Sequence, residues 1–192
     1  MQPASETAGE AARSSGPLSL QSSWEALVGN RLQLYGHRNW IVIADSAYPA
    51  QARQGIETIF SNDEPVDVVR RILAKIRSSS HVKPSIVIDR ELEFISEEDA
   101  PGVSAYRQEL AGILGSIDTE ALPHEQIIAK LDEAAHLFRV LVIKTGMRIP
   151  YSTVFLRFEC AYWDAEAEGR LRERMNAHSQ NAPPIRAAFG GG

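Results

Sequence analysis

The central part of the chain alternates short apolar runs with longer segments in which apolar residues recur every three or four positions. The run "WIVIA", residues 40 to 44, is apolar throughout, which is typical of a buried strand. In "PVDVVRRILAKI" the apolar residues instead form one stripe along a helix. This alternation predicts an α/β fold of three layers, α/β/α, with helices on both faces of a mostly parallel, mixed sheet.

The elements can be assigned to segments in chain order. Strands are predicted in "WIVIA", "IETIF", "PSIVIDRELEFI", "RVLVIKTG" and "YSTVFLRFECAYW". Helices are predicted in "SSWEALVGNRLQLYG", "NDEPVDVVRRILAKIRSSS", "SEEDAPGVSAYRQELAGILGS", "PHEQIIAKLDEAAHLF" and "DAEAEGRLRERM". Ser22 and Glu25 have capping-box spacing, Pro65 suits a first helical turn, and Asp164 suits an N-cap. Only residues 145 to 150 separate the last two strands, so we expect an antiparallel pair there.

Composition sets the domain organisation and narrows the classes of partner. Residues 1–20 predict a disordered tail, residues 21–176 a single α/β domain, and residues 177–192 a flexible tail. The first 20 residues lack the apolar core of a secretory signal, and no run is long enough to span a membrane. The net charge is −5 and basic residues are not clustered, so no nucleic-acid partner is expected.

Redox and metal chemistry receive no support from the sequence. Cys160 is the only cysteine of the 192 residues, so no internal disulfide can form and a reducing, cytoplasmic setting is expected. The histidines show no metal-ligand spacing, and no glycine-rich phosphate loop is present. We therefore expect no metal site.

Two titratable residues mark the ends of the first predicted strand. His37 precedes the run and Asp45 follows it, where ligands bind in open α/β sheets. A strand of this length separates them by about 13 to 17 Å, so they meet only if the His37 turn folds back or another element or subunit completes each groove. Otherwise His37 is a helix dipole cap and Asp45 a turn residue.

A second polar stretch, "KTGMRIPYSTVFL", joins the last two predicted strands. Thr145 and Gly146 end one strand, and Pro150 and Tyr151 open the next. A tyrosine at a strand start can direct its hydroxyl into a cleft, although a tyrosine taken singly is more often a core or surface residue.

The two stretches together resemble the D-ribose pyranase and L-fucose mutarotase (RbsD/FucU) family. The first motif reads Gly36-His37, the apolar strand, Asp45, and then Tyr48-Pro49-Ala50; the second reads Thr145-Gly146, four residues, and then Tyr151. The resemblance covers about residues 20 to 160 and is weak between residues 77 and 138. It implies an RbsD-like fold and an isomerase, without a cofactor, that interconverts ring forms or anomers of a free monosaccharide.

The resemblance also implies residue roles and an assembly. The catalytic residues correspond to His37, Asp45 and Tyr151. The family typically forms a ring-shaped decamer with its sites at subunit boundaries, so a neighbouring copy can complete the site. Tyr48 and, in the stretch "LPHEQI", His124 correspond to substrate-binding positions.

The chain departs from the family motif at two substrate-binding positions. Met147 stands where the family has glutamate, and Thr153 where it has asparagine. A less polar pocket edge predicts a preference for a 6-deoxy sugar such as L-fucose over D-ribose. A sugar-binding or regulatory module with weakened catalysis, and a structural shell protein, are the alternatives.

Overall fold

One sheet of six strands organises the computed structural model, which describes residues 23–181. The strands are β1 (Trp40–Ala44), β2 (Ile56–Phe60), β3 (Val82–Asp89), β4 (Thr119–Leu122), β5 (Val140–Lys144) and β6 (Val154–Cys160). The helices are α1 (Trp24–Leu34), α2 (Pro65–Arg77), α3 (Val103–Leu114), α4 (His124–Leu137) and α5 (Ala165–Asn181). A short 3₁₀ helix, Arg90–Phe94, follows β3 directly. The predicted tail at residues 1–20, the predicted cap Ser22, and residues 182–192 lie outside the described residues.

The strand order is β2-β5-β1-β6-β3-β4, and only β6 runs against the other five. The mixed sheet is confirmed, but the expected pairing of the last two strands is wrong. β1 lies between β5 and β6, because all five of its residues are buried and such a strand belongs at the centre of a sheet. The segment between β5 and β6 therefore crosses the carboxyl end of β1, where Ser46 N donates to Met147 O at 2.9 Å.

Helices cover both faces of the sheet, as predicted. Ile41 and Ile43 of β1 pack in a core with α1, α2 and α3, whereas Trp40 and Val42 pack on the opposite face with α4. This division follows from the strand period of two, which sends successive side chains to opposite faces. Ile43 is only 1% exposed, and burial of an isoleucine side chain contributes about 1.5–3 kcal/mol.

Several element boundaries differ from the prediction. β4 was not predicted, because its residues are mostly exposed and form no apolar run. Ser23 caps α1, since its Oγ accepts from Ala26 N at 3.3 Å. The Pro65 prediction is confirmed, and Asp164 caps α5 by accepting from Ala167 N at 2.7 Å.

Candidate functional site

A cleft of about 530 Å³ lies where the carboxyl end of β1 meets the segment that crosses it. Its wall combines the loop after β1, the first residue of α4 and the turn before β6. The residues that line it are Asp45, Ser46, Ala47, Tyr48, Pro49, His124, Arg148, Pro150 and Tyr151. The crossing connection thus brings together the two polar stretches of the sequence, although they lie about 100 residues apart.

Asp45 is held in place by its own loop and by β6. Its Oδ1 accepts from Ala47 N at 2.8 Å, and its Oδ2 accepts from Thr153 Oγ1 at 3.4 Å. Thr153 is 2% exposed, so it supports Asp45 from below the cleft. Both contacts leave acceptor lone pairs on a half-buried carboxylate, which can accept hydrogen bonds from ligand hydroxyls.

A buried carboxylate and a histidine form the most constrained pair at the cleft. Asp89, the last residue of β3, has a fully buried side chain, and its Oδ1 lies 2.9 Å from His124 Nδ1. Among the described residues, Asp89 Oδ2 has no hydrogen-bond partner. Burial raises the pKa of the Asp89 carboxyl to about 6, although His124 opposes this rise.

His124 begins α4, and its backbone is fixed independently of its ring. Its N–H donates to both carboxylate oxygens of Glu91, each at 3.0 Å. The Tyr151 ring meets the imidazole edge-on, with 5.4 Å between ring centroids and 81° between planes. The α4 terminus, the 3₁₀ helix and the turn before β6 therefore all meet at this histidine.

The two tyrosines of the cleft differ in exposure and in backbone conformation. Tyr48 is 5% exposed, and burial raises the pKa of its hydroxyl to about 12, so the hydroxyl stays protonated at neutral pH. Gln51 Nε2 donates to that hydroxyl at 3.1 Å. Tyr151 is 40% exposed and has a φ of 55°, a left-handed conformation that costs a non-glycine residue about 1–3 kcal/mol. Such strain is concentrated at functional sites, and the ring of this residue is the one that meets His124.

His37 lies at the other end of β1, in a different groove. Its Nδ1 is 3.2 Å from Glu159 Oε2, its side chain is half exposed, and the groove also contains Trp163. The preceding turn does not fold back toward Asp45, so one chain does not bring these two residues together.

Met147 is another predicted site residue that does not line this cleft. It packs against the core beneath α1, α2 and α3, and the next residue, Arg148, lines the cleft instead. Arg148 rather than Met147 therefore reaches the cleft. Met147 therefore does not form an edge of this cleft, and its effect on the choice of sugar stays a prediction.

Four of the seven predicted site residues line the cleft, and a fifth lies beneath it. The lining residues are Asp45, Tyr48, His124 and Tyr151, with Thr153 below. Sequence reasoning missed Asp89, Glu91 and Arg148. Asp89 carried a usable signal, because it ends the apolar run "SIVID" just as Asp45 ends "IVIAD".

Residues 23–181 contain no group of three or more His, Cys, Asp or Glu side chains placed so that they could hold a metal ion. The helices of this same range include none that is long and apolar enough to cross a membrane.

Comparison with known proteins identifies the family. The model of the RbsD / FucU transport protein family matches residues 27–160, which include both motifs and the cleft. RbsD of Bacillus subtilis, solved with D-ribose, is 19% identical, with a TM-score of 0.50 over 69% of this chain and 90% of that one. The fucose mutarotase of Streptococcus pneumoniae, solved with L-fucose, is 20% identical, with a TM-score of 0.46 over 70% of this chain and 91% of that one. No curated protein sequence matches. The resemblance of the two motifs is confirmed: the chain belongs to the RbsD / FucU transport protein family.

Proposed function

We propose that the chain is a monosaccharide mutarotase or pyranase, an isomerase that interconverts anomers or ring forms of a free sugar without a cofactor. The observation that carries this proposal is the convergence of Asp45, His124 and Tyr151 on one cleft. All three side chains can exchange protons or hydrogen bonds with sugar hydroxyls. The D-ribose bound to the similar RbsD supports a monosaccharide as the substrate class.

The reaction needs one proton acceptor and one proton donor. Ring opening removes the proton of the anomeric hydroxyl and delivers a proton to the ring oxygen as the C1–O5 bond breaks. Closure on the other face of the aldehyde reverses both transfers. Histidine suits either role near neutral pH, and positioned acid–base groups contribute about 10²–10⁴-fold. Asp45 accepts hydrogen bonds from hydroxyls of the sugar and so orients the sugar in the cleft. The hydroxyl of the exposed Tyr151 hydrogen-bonds to the sugar at the mouth of the cleft.

His124 supplies one of these two groups, and we assign the other to His37 of a neighbouring copy. A homo-oligomer, on the family pattern a ring-shaped decamer, would bring the His37 groove of one chain to the Asp45 cleft of the next. The separation of His37 from Asp45 within one chain supports this arrangement. Sedimentation should then show an oligomer, and an active monomer would contradict the assignment.

Complementation between two inactive variants tests both the activity and the shared site. His37→Ala and Asp45→Asn should each slow anomer exchange, measured by NMR magnetisation transfer, by about 10²-fold or more. Coexpression of the two variants should restore activity, because about a quarter of the boundaries in a randomly mixed oligomer combine an intact His37 with an intact Asp45. Asp118→Asn, at an exposed position outside the cleft, is the matched control and should keep the full rate.

The outcomes separate the competing functions. Sugar binding without exchange in the native chain would favour the weakened binding module, and absence of both would favour a structural protein. Hybrids as inactive as their parents would contradict a site shared between copies. Exchange rates measured on a panel of free sugars test the predicted preference for L-fucose over D-ribose. The cytoplasm remains the compartment predicted from the single cysteine.

A further inference from the structure

We propose that Asp89 is a positioning residue for His124: it keeps the hydrogen of the neutral imidazole on Nδ1, so that Nε2 is the proton acceptor of the cleft. This inference rests on the proposed function only in that the cleft is assumed to transfer protons. The position of the hydrogen on the imidazole can be measured without any sugar.

The sheet register places Asp89 and His124 together. Asp89 pairs with Leu122 of β4, and the chain enters α4 at His124 two residues later. The ring then lies with Nδ1 2.9 Å from Asp89 Oδ1, while Glu91 holds the backbone N–H of the same histidine. Two carboxylates two residues apart, one at the end of β3 and one in the 3₁₀ helix, therefore fix the ring and the backbone of this histidine separately.

The chemistry of the pair decides which ring nitrogen carries the hydrogen. An ionised carboxylate can only accept, so the neutral imidazole beside it must donate from Nδ1. Nε2 is then left with a lone pair, and it has no hydrogen-bond partner among the described residues. The hydrogen bond of one ring nitrogen thus sets the role of the other, as a carboxylate does for a catalytic or metal-bound histidine.

Several titratable groups face Asp89 from the elements packed around it. His124 lies on α4, Glu91 on the 3₁₀ helix and Asp45 after β1, while Tyr48 and Tyr106 approach from the first loop and from α3. Of these, only His124 is hydrogen-bonded to the Asp89 carboxylate. The tautomer of the His124 imidazole should therefore depend on Asp89 more than on any other neighbour.

Nitrogen-15 NMR of the full-length protein labelled in its histidines tests this directly, at a pH high enough that the ring signals no longer change with pH. His124 should show the shifts of a neutral ring protonated at Nδ1, with its signals assigned by their loss in His124→Gln. His81 is the internal reference, because its Nε2 lies 3.0 Å from the carbonyl oxygens of both Leu32 and Tyr35 and must therefore donate. The two histidines should have opposite tautomers in the same spectrum.

Asp89→Asn adds the functional test. Asparagine can also donate to Nδ1, so the spectrum should shift toward the form protonated at Nε2 while His81 stays unchanged. In the exchange assay kcat should fall on the order of tenfold to a hundredfold, with KM nearly unchanged because Asp89 does not line the cleft.

Each result decides the inference. An Nε2-protonated His124 in the native protein would overturn it, even if Asp89→Asn fails to fold. An unchanged tautomer or an unchanged kcat in a folded Asp89→Asn variant would also overturn it. If the native protein exchanges no sugar, the proposed function fails, and the native tautomer still decides the role of Asp89.

Discussion

Removal of the buried Asp89 carboxylate should change how the stability of the protein depends on pH. Burial raises the pKa of this group from 3.8 to about 6, so the folded state holds its proton over a range where the unfolded chain has released it. The stabilisation is fully present below about pH 4 and is lost as the pH rises through about 6. Asp89→Asn lacks this titration.

The size of the effect follows from the shift. Each pKa unit corresponds to about 1.4 kcal/mol, so a rise of about two units corresponds to about 3 kcal/mol. As the pH rises from 4 to 7.5, the unfolding free energy of native protein should therefore fall by about 2–3 kcal/mol relative to that of Asp89→Asn.

Urea unfolding at several pH values between 4 and 7.5 measures the difference in unfolding free energy between Asp89→Asn and native protein. Protein concentration is held constant, because oligomers unfold in a concentration-dependent way. The exposed variant Asp118→Asn reports how far loss of a surface carboxylate changes the same curve. A difference between Asp89→Asn and native protein that stays constant with pH would refute the reasoning, because it would mean that burial does not favour the protonated carboxyl.

Two further predictions concern packing within the fold. A Cβ at Gly55 would overlap the Ala135 carbonyl oxygen, so Gly55→Ala should lower the unfolding free energy by about 1–3 kcal/mol. Gly29→Ala, on α1 with open space around it, should instead raise the unfolding free energy by about 0.5–1 kcal/mol; equal effects in urea unfolding would contradict the overlap. Tyr106→Phe removes the hydroxyl that donates to the Ser152 carbonyl at 2.6 Å, which should cost about 1–3 kcal/mol, and an unchanged urea midpoint would show that this bond contributes nothing.

Most of the strands could be predicted because each carries its own signal. β1 and β2 have the predicted bounds, since a short run bounded by turn residues leaves little choice of ends. β4 could not be predicted, because an exposed edge strand is defined by its partner's backbone and not by its own apolar residues. The place of β6 was missed for a related reason: the length of a connection limits strand direction but does not say which strand lies between.

The candidate site shows the same division. Asp45, Tyr48 and Tyr151 could be singled out because each stands at the edge of an apolar run, and a resemblance to family motifs then linked them. Asp89 stands at an equivalent edge, yet its importance arises only from contact with His124, which lies 35 residues further along the chain. Met147 and Arg148 are adjacent in sequence, and only the path of the crossing segment decides which of them reaches the cleft.

The sequence by itself therefore determined the α/β class, the buried strands and the polar residues at their ends, because apolar periodicity is a local property that backbone geometry converts into helices and strands. Only the tertiary structure decided which of those ends lie together. Strand order and side-chain direction depend on contacts between distant segments, and they place His124 beside Asp89 while leaving His37 at the opposite end of β1 from Asp45.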